Sequence, residues 1–391
     1  MLLAMMVALH AFSIDAMLPA LGDMGVDLGI SNQNHRQAII TSLFLGFAAG
    51  VLVYGFISDN VGRRSPVIAG FLIFLLASII CTFSTTFAML LLGRILQGVG
   101  SAGPYVIAVA IVRDRYQGRD MAEIMSLIMM VFIGIPMIAP FIGQVFQQLA
   151  GWRSIFVALT TFAVITLAWF YLRQPETLDR DQRKKLTVPG TFKTVIEIFS
   201  ERVTRTYIIV LALISGAFIT YLSTAQQVFH DMYGIGEKLP LAIATLASMY
   251  GLACFANARL VQKLGMRKLI RFGLWVVVAS SLLCTLKITI SGDNLKLFEF
   301  LLYMAVVVFS FGFLFENVVT LALDPMDHIA GAAMSVITAS STLVAVMISA
   351  VLGSLLDKTV LPVVLGFTIL CLLGQWLHKQ TGDKLKENSL S

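Results

Sequence analysis

Gly55-Phe-Ile-Ser-Asp59-Asn-Val-Gly62-Arg63-Arg64 is a short polar loop held between two apolar stretches, residues 37–57 and 66–84. A similar loop recurs later as Ala258-Arg-Leu-Val-Gln262-Lys-Leu-Gly265-Met266-Arg267-Lys268, with Gly265 lying 203 positions after Gly62 in a chain of 391. An offset near half the chain length is the mark of an internal repeat. Membrane proteins built from two like bundles around a central site carry repeats of this kind. Reading outward from these two loops therefore gives a chain of two similar halves.

The rest of the sequence supports that frame. Hydrophobic residues make up 58% and charged residues 13%, against about 25% charged in soluble domains. Twelve apolar stretches follow one another, near 1–21, 37–57, 66–84, 88–112, 124–146, 154–172, 206–228, 239–258, 269–290, 297–322, 329–356 and 359–378. Most reach the roughly 18–20 residues that a helix needs to span a bilayer. Helices satisfy their backbone polar groups internally, which hydrocarbon demands. The expected fold is an all-α membrane protein of twelve transmembrane helices in two six-helix bundles. Residues 173–205, RQPETLDRDQRKKLTVPGTFKTVIEIFSERVTR, form the only long polar interruption. The expected organisation is an N-terminal bundle (1–172), a cytoplasmic central loop (173–205), a C-terminal bundle (206–378) and a cytoplasmic tail (379–391).

The first stretch lacks a basic start and a small-residue cleavage site, and Asp15 interrupts it, so it reads as a retained helix rather than a signal peptide. Met1 starts almost inside the bilayer, leaving room for a short basic leader ahead of it. Placing the amino terminus in the cytoplasm puts 21 of the 28 Lys and Arg in inner connections and 6 in outer ones, with Arg94 the remainder. By the positive-inside rule both termini are then expected to be cytoplasmic. The net charge of +6 follows from that topology and argues for an anionic membrane surface, not nucleic acid. Cys81, Cys254, Cys284 and Cys371 lie singly in apolar segments. They suit neither a disulfide framework nor a metal site, and no cofactor is expected. No hydrolase or metalloprotease motif appears.

Three charged groups stand well inside the apolar stretches, away from their ends: Asp15 in the first, Arg94 in the fourth and Glu316 in the tenth. An ion in hydrocarbon costs at least ~2.5–3.5 kcal/mol on insertion scales, so such groups face a partner or a watery cavity and point to function. Counting from the ends of their stretches, Asp15 and Arg94 both fall roughly 9 Å below the outer surface, and Glu316 roughly 12 Å from the inner one. Asp15 and Arg94 can therefore meet, as a proton-loading carboxyl beside a guanidinium or as a permanent ion pair. Gln97, one turn beyond Arg94, shares its site. Glu316 can bind a cationic substrate, carry a second proton, or be a hydrogen-bonded acid facing another helix. His10 reads as a neutral hydrogen-bonding side chain. Pro136 and Pro140 should kink the fifth stretch. Gly134, Gly143, Gly98 and Gly100 permit close helix approach.

The Gly55–Arg64 loop resembles the signature loop of the major facilitator superfamily. Arg94-Ile-Leu-Gln97-Gly98-Val-Gly100 is similar to its fourth-helix motif. Gly134-Ile-Pro136-Met-Ile-Ala139-Pro140-Phe-Ile-Gly143 is similar to the kinked motif of its antiporters. Ser13-Ile-Asp15-Ala-Met-Leu-Pro19-Ala-Leu and Val112-Arg113-Asp114-Arg-Tyr116 resemble the Bcr/CflA drug-resistance branch. The chain departs from the pattern at Ala139, at Gln144, where a second Gly is common, and at Glu316. The resemblance implies that the helices bearing Asp15 and Arg94 line one central cavity. It also implies that Gly55, Asp59, Gly62, Arg63, Arg64 and Asp114 form a cytoplasmic gate, Asp59 near the eleventh helix and Arg63 near Asp114. The function implied is proton-driven efflux of lipophilic drug-like molecules across a bacterial inner membrane by a monomer. Asp15 and Arg94 would then couple the proton, while Asp15, Arg94, Gln97, Tyr221, Gln226, Tyr250, Phe315 and Glu316 would meet the substrate. The alternative is a carrier of one specific metabolite, whose site requires more paired polar groups than these spans show.

Overall fold

The computed structural model describes residues 1–388 apart from 180, 182 and 184–187. The parts of the expected central loop at those positions, and of the expected tail at 389–391, lie outside the described residues. Fourteen α-helices follow one another, and no strand occurs among the described residues. They are α1 (Leu2–Asp15), α2 (Leu21–Asp27), α3 (Ala38–Val61), α4 (Arg64–Thr82), α5 (Phe87–Arg115), α6 (Gly118–Ala150), α7 (Arg153–Arg173) and α8 (Val188–Ser200). The second half holds α9 (Arg202–Gln226), α10 (Leu239–Leu264), α11 (Met266–Ser291), α12 (Leu297–Leu323), α13 (Ala330–Ser354) and α14 (Leu361–Asn388).

Eleven helical stretches are long and apolar enough to span a bilayer, and the longest, Leu297–Ser354, is α12 and α13 joined end to end. Met326 leaves helical geometry between them. The all-α membrane fold with twelve spans expected from the sequence is therefore the fold observed. The two echoing loops also share one backbone device. Gly62 ends α3 at φ +101° and Gly265 ends α10 at φ +79°, a region open to glycine and strained for other residues.

Two departures from the expected segments have local causes. The first span breaks after Asp15, passes through a tight turn at Leu18–Ala20 and resumes as α2. Pro19 has no N–H to bond the Asp15 carbonyl, so the helix stops where that bond would fall. The region expected as a plain loop carries α8, which leaves Phe192 and Ile196 exposed while Ile198 is buried. Glu201 then accepts a bond from Thr204 N at 2.8 Å and starts α9 earlier than residue 206.

Small residues set the helix crossings. A side chain at Gly98 would fall on Leu43 O, and one at Gly46 on Ile95 O, so α3 and α5 meet backbone to backbone. Gly100 packs against Phe74 of α4, and Gly143 of α6 against Ala16 O at the break in the first span. Gly134 does not take the role expected of it, since nothing lies within 4 Å of its would-be Cβ. α6 also runs as one helix through Pro136 and Pro140. Membrane helices tolerate proline because neighbouring groups re-satisfy the freed carbonyls. Between the first six spans and the last six, α3 packs along α13 and α6 along α10. Gly55 admits Ser335 at the first of these contacts.

Candidate substrate and proton site

Asp15 and Arg94 are both buried, 4% and 0% exposed, but they are not partners. Arg94 lies deep between helices and bonds carbonyls instead. Its Nε donates to Ile39 O at 3.0 Å, and its Nη1 to Ser13 O at 3.0 Å and to Gln97 Oε1 at 2.9 Å. Gln97 in turn donates to Ser78 Oγ at 2.8 Å. Arg94 thus staples α1, α3 and, through Gln97, α4 onto α5. The Ser13 carbonyl is available because α1 ends two residues later. Arg94 Nη2 has no hydrogen-bond partner. Gln97 is fully buried behind the guanidinium, so it supports Arg94 and does not face the central space.

The Asp15 carboxylate makes no hydrogen bond or ion pair among the described residues. It sits at the break made by Pro19, one residue from the Ala16 carbonyl that Gly143 of α6 approaches, and it interacts electrostatically with Tyr221 of α9. The structure therefore sets Asp15 within electrostatic reach of Tyr221 and outside Arg94's hydrogen bonds.

Aromatic side chains cluster within each set of six spans. On the first side His10 stacks on Phe47 with centroids 3.8 Å apart, Phe47 meets Tyr105 at 5.2 Å, and Tyr105 meets Phe132 at 6.1 Å. His10 Nδ1 lies 3.0 Å from Ser101 Oγ, as expected of a hydrogen-bonded ring. On the second side Phe315 meets Phe218 at 5.5 Å and Tyr250 at 6.5 Å. Glu316 is exposed and interacts electrostatically with Tyr105 of α5 and Tyr250 of α10. Its neighbour Asn317 is buried and donates to Asn257 Oδ1 at 2.7 Å.

The two ends of the bundle differ. At one, Arg63 donates from Nε and Nη2 to the two oxygens of Asp114, at 2.9 and 3.3 Å, and from Nη1 to Asp59 at 2.6 Å and Ser58 at 3.1 Å. Burial alone would lower the Arg63 pKa, and the bonds to Asp114 and Asp59 outweigh it and raise it. Asp59 lies beside Gly331, at the start of α13, where a helix amino terminus favours an anion. Arg64 instead reaches the Tyr171 carbonyl at 2.8 Å. Glu176 completes the cluster. It accepts from the backbone N–H groups of Arg63 and Arg64, at 2.8 and 3.1 Å, and from Thr177 and Leu178. Partial burial pushes its pKa up, but the four amides together hold it below the ordinary range.

At the opposite end a polar clasp joins the two sets of spans. Arg36 pairs with Asp231 at 3.1 Å. Gln37 donates to Gln227 Oε1 at 2.9 Å and Gly353 O at 3.1 Å. Asn34 accepts from Gln227 at 2.7 Å and donates to Leu356 O at 2.9 Å. Gln226, expected at the substrate, belongs to this end. It donates to Asp231 and lines a cavity of about 390 Å³ with Gly22, Arg36, Gln144 and His230.

The model of the Major Facilitator Superfamily matches residues 3–350. The chain belongs to this superfamily. A Bacillus subtilis protein described as an uncharacterized MFS-type transporter, YdgK, is 27% identical over 90% of this chain and 87% of its own. A bicyclomycin resistance protein homolog of Haemophilus influenzae is 24% identical over 70% of this chain and 71% of its own. The multidrug resistance protein MdtL of Escherichia coli O127:H6 is 30% identical over 59% of this chain and 57% of its own. Among solved structures, the D-xylose-proton symporter aligns with a TM-score of 0.75 at 13% identity, covering 96% of this chain and 95% of that one. The human organic anion transporter MFSD10 aligns at 0.69 and 19%, covering 96% and 97%. The fold is that of these facilitators.

Within this superfamily member, sequence reasoning missed Glu176, the clasp residues Asn34, Gln37, Gln227 and Asp231, and the aromatic lining at Phe47, Tyr105, Phe132 and Phe218. Only Gln37 and Gln227 offered a signal, as amides set at the ends of apolar stretches. The aromatic residues looked like any other apolar side chain.

Proposed function

We propose that this protein is a proton-driven exporter of lipophilic small molecules, a drug/proton antiporter acting as a monomer in a bacterial inner membrane. The observation that carries the reading is the Asp15 carboxylate, buried at a helix break with no counter-ion. Such a group takes up a proton readily when dry and gives it up when water or a cation reaches it. Pairing with Arg94 would fix it in the charged form. Arg94's bonds to carbonyls leave it free to titrate. The aromatic clusters of the two sets of spans support a substrate bound mainly by area and ring faces. The names of the relatives of Haemophilus and Escherichia point to drug export as well.

The uneven distribution of Lys and Arg supports a cytoplasmic Arg63 end, with both termini on that side. The clasp then seals the outer end, and the substrate enters from within. Two six-span bundles, 1–172 and 206–378, rock about the cavity, and the Asp59–Arg63–Asp114 cluster acts as their inner gate. Substrate-dependent proton movement in proteoliposomes tests the proposal. Asp15→Asn should stay folded and lose it. Full pH-driven export by that variant would remove Asp15 as the carrier.

A further inference from the structure

At the Arg36 end of the bundle, one carboxylate is shared between a guanidinium and an imidazole that belong to different halves. Asp231 lies on the turn Gln227–Met232 that follows α9, and its two oxygens are divided. Oδ2 accepts from Nη1 of Arg36, at 3.1 Å, from the first six spans. Oδ1 lies 2.8 Å from Nδ1 of His230 and 3.3 Å from Nε2 of Gln226, both on its own side. Of these three contacts, only the one to Arg36 crosses the junction. The His230 side chain is 53% exposed and lines the cavity of about 390 Å³ there, so solvent reaches it.

The other charged groups around this cavity have their own places. A side chain at Gly236 would fall on the His230 ring, so the imidazole packs on the turn Gly236–Lys238. Glu237 and Lys238 of that turn carry opposite charges and belong to the same half as His230. The Glu237 carbonyl accepts from Gln144 Nε2 of α6 at 3.1 Å. The first half supplies Asp23 of α2, whose carboxylate accepts from Gln147 of α6. It also supplies His35, exposed beside Arg36. Neither Asp23 nor His35 bonds His230 among the described residues.

An imidazole gains its proton between about pH 8 and about pH 5. With its proton, His230 would satisfy Asp231 from within its own half. It would also set a like charge across one carboxylate from Arg36. Both effects weaken the attraction that crosses the junction. The closest contacts decide the sign, because exposed charges further apart are screened by water and salt.

We propose that His230 is an acid sensor for the clasp: once protonated, it takes Asp231 from Arg36 and favours opening of this end. The proposal rests on the export reading, which puts this end outside. The proton that drives export then helps to open the side from which it arrives.

The test follows the distance between spin labels at exposed Gln33 and Lys358. Pulsed dipolar spectroscopy reads it in cysteine-free, full-length protein in nanodiscs, from about pH 8 to about pH 5.5. Gln37→Ala is the background, since it keeps the Arg36–Asp231 pair and raises the open population. An ion pair this exposed biases such a ratio at most about fivefold, so acid should raise the open-to-closed ratio about two- to threefold. His230→Gln should hold the ratio at its alkaline value throughout, and His230→Arg at its acid value. His35→Gln should leave the shift intact. A shift that survives in His230→Gln overturns the proposal, as does a ratio that stays constant or falls in acid. Proton-driven export of chloramphenicol, ethidium and tetraphenylphosphonium is measured with the same protein in proteoliposomes. Export without the shift overturns the sensor and spares the export reading. The shift without export of any of the three supports the sensor and removes the export reading.

Discussion

The clasp at the Arg36 end can be weakened without touching Asp15 or Arg94. Gln37 is 5% exposed and gives both amide hydrogens across the junction, to Gln227 and Gly353. Hydrogen bonds of this kind contribute roughly 0.5–1.5 kcal/mol each, and a buried acceptor left unpaired costs about 1–3 kcal/mol. Arg36 and Asp231 are 14% and 17% exposed at the side chain, so their pair adds at most about 1 kcal/mol. Replacing both residues, Arg36→Ala with Gln37→Ala, should therefore destabilise the closed end by about 2 kcal/mol, or roughly 30-fold in the closed-to-open ratio. An open form that makes up about 1% of wild type would rise to roughly a quarter of the population. Spin labels at exposed Gln33 and Lys358, one on each side of the junction, report the change by pulsed dipolar spectroscopy in a cysteine-free background. The expected result is a second, longer distance in the variant that is minor in wild type. An unchanged distance distribution would show that apolar packing of α3 on α13 closes this end and that the polar bonds are incidental.

Four further outcomes follow from contacts already described. Arg63→Ala leaves Asp114 and Asp59 without their cation. With side chains 9%, 15% and 32% exposed, the loss should fall below the roughly 3–5 kcal/mol of a fully buried pair. Thermal unfolding should show a lower Tm that Arg63→Lys only partly restores, because an ammonium cannot copy the two-pronged contact to Asp114. Gly98→Val should abolish folded yield, since any side chain there meets the Leu43 carbonyl. Gly134→Ala, with open space around it, should be neutral or slightly stabilising, as the helix scale favours alanine by about 1 kcal/mol. Glu176→Gln should lower the Tm at pH 7. A carboxyl held below its ordinary range stabilises the fold above the unfolded value, about 4.3 for glutamate, and that contribution is lost as pH falls through the folded value. The gap between wild type and variant should therefore close below pH ~4.

The fold was legible because a bilayer imposes length and apolarity on each span, and twelve runs of side chains carry that signal plainly. The break at Pro19 was legible in principle too, since the missing N–H is a property of the residue itself. The site was less so. Depth counted along two helices puts Asp15 and Arg94 at one level, but level does not fix azimuth. The Ser13 carbonyl, freed by the end of α1, competes for the guanidinium, and no sequence pattern announces a free carbonyl. Gln226 misled for a related reason. It lies at the end of α9, one residue before a π turn at Gln227–Met232, where its amide reaches Asp231. The contacts of Arg63 with Asp59 and Asp114, and the turn at Gly62, were readable because they rest on opposite charges at loop and helix ends and on a backbone conformation that favours glycine.

Arg94 poses the remaining electrostatic question, and its bonds answer it. A fully buried guanidinium with no carboxylate partner should be expensive, yet three of its bonds go to strong acceptors, two of them main-chain carbonyls. Charge-assisted bonds of this kind are about twice as strong as neutral ones. Because those acceptors are neutral, the positive charge is held without being cancelled. It therefore remains available to the field in the cavity, where His10 is its electrostatic neighbour. An ion pair with Asp15 would have used both charges to join two helices. Held on carbonyls, Arg94 joins three helices to α5 and leaves the only acid of α1 uncommitted. That division of labour is what a transporter needs if one residue is to keep the bundle together while another changes its charge.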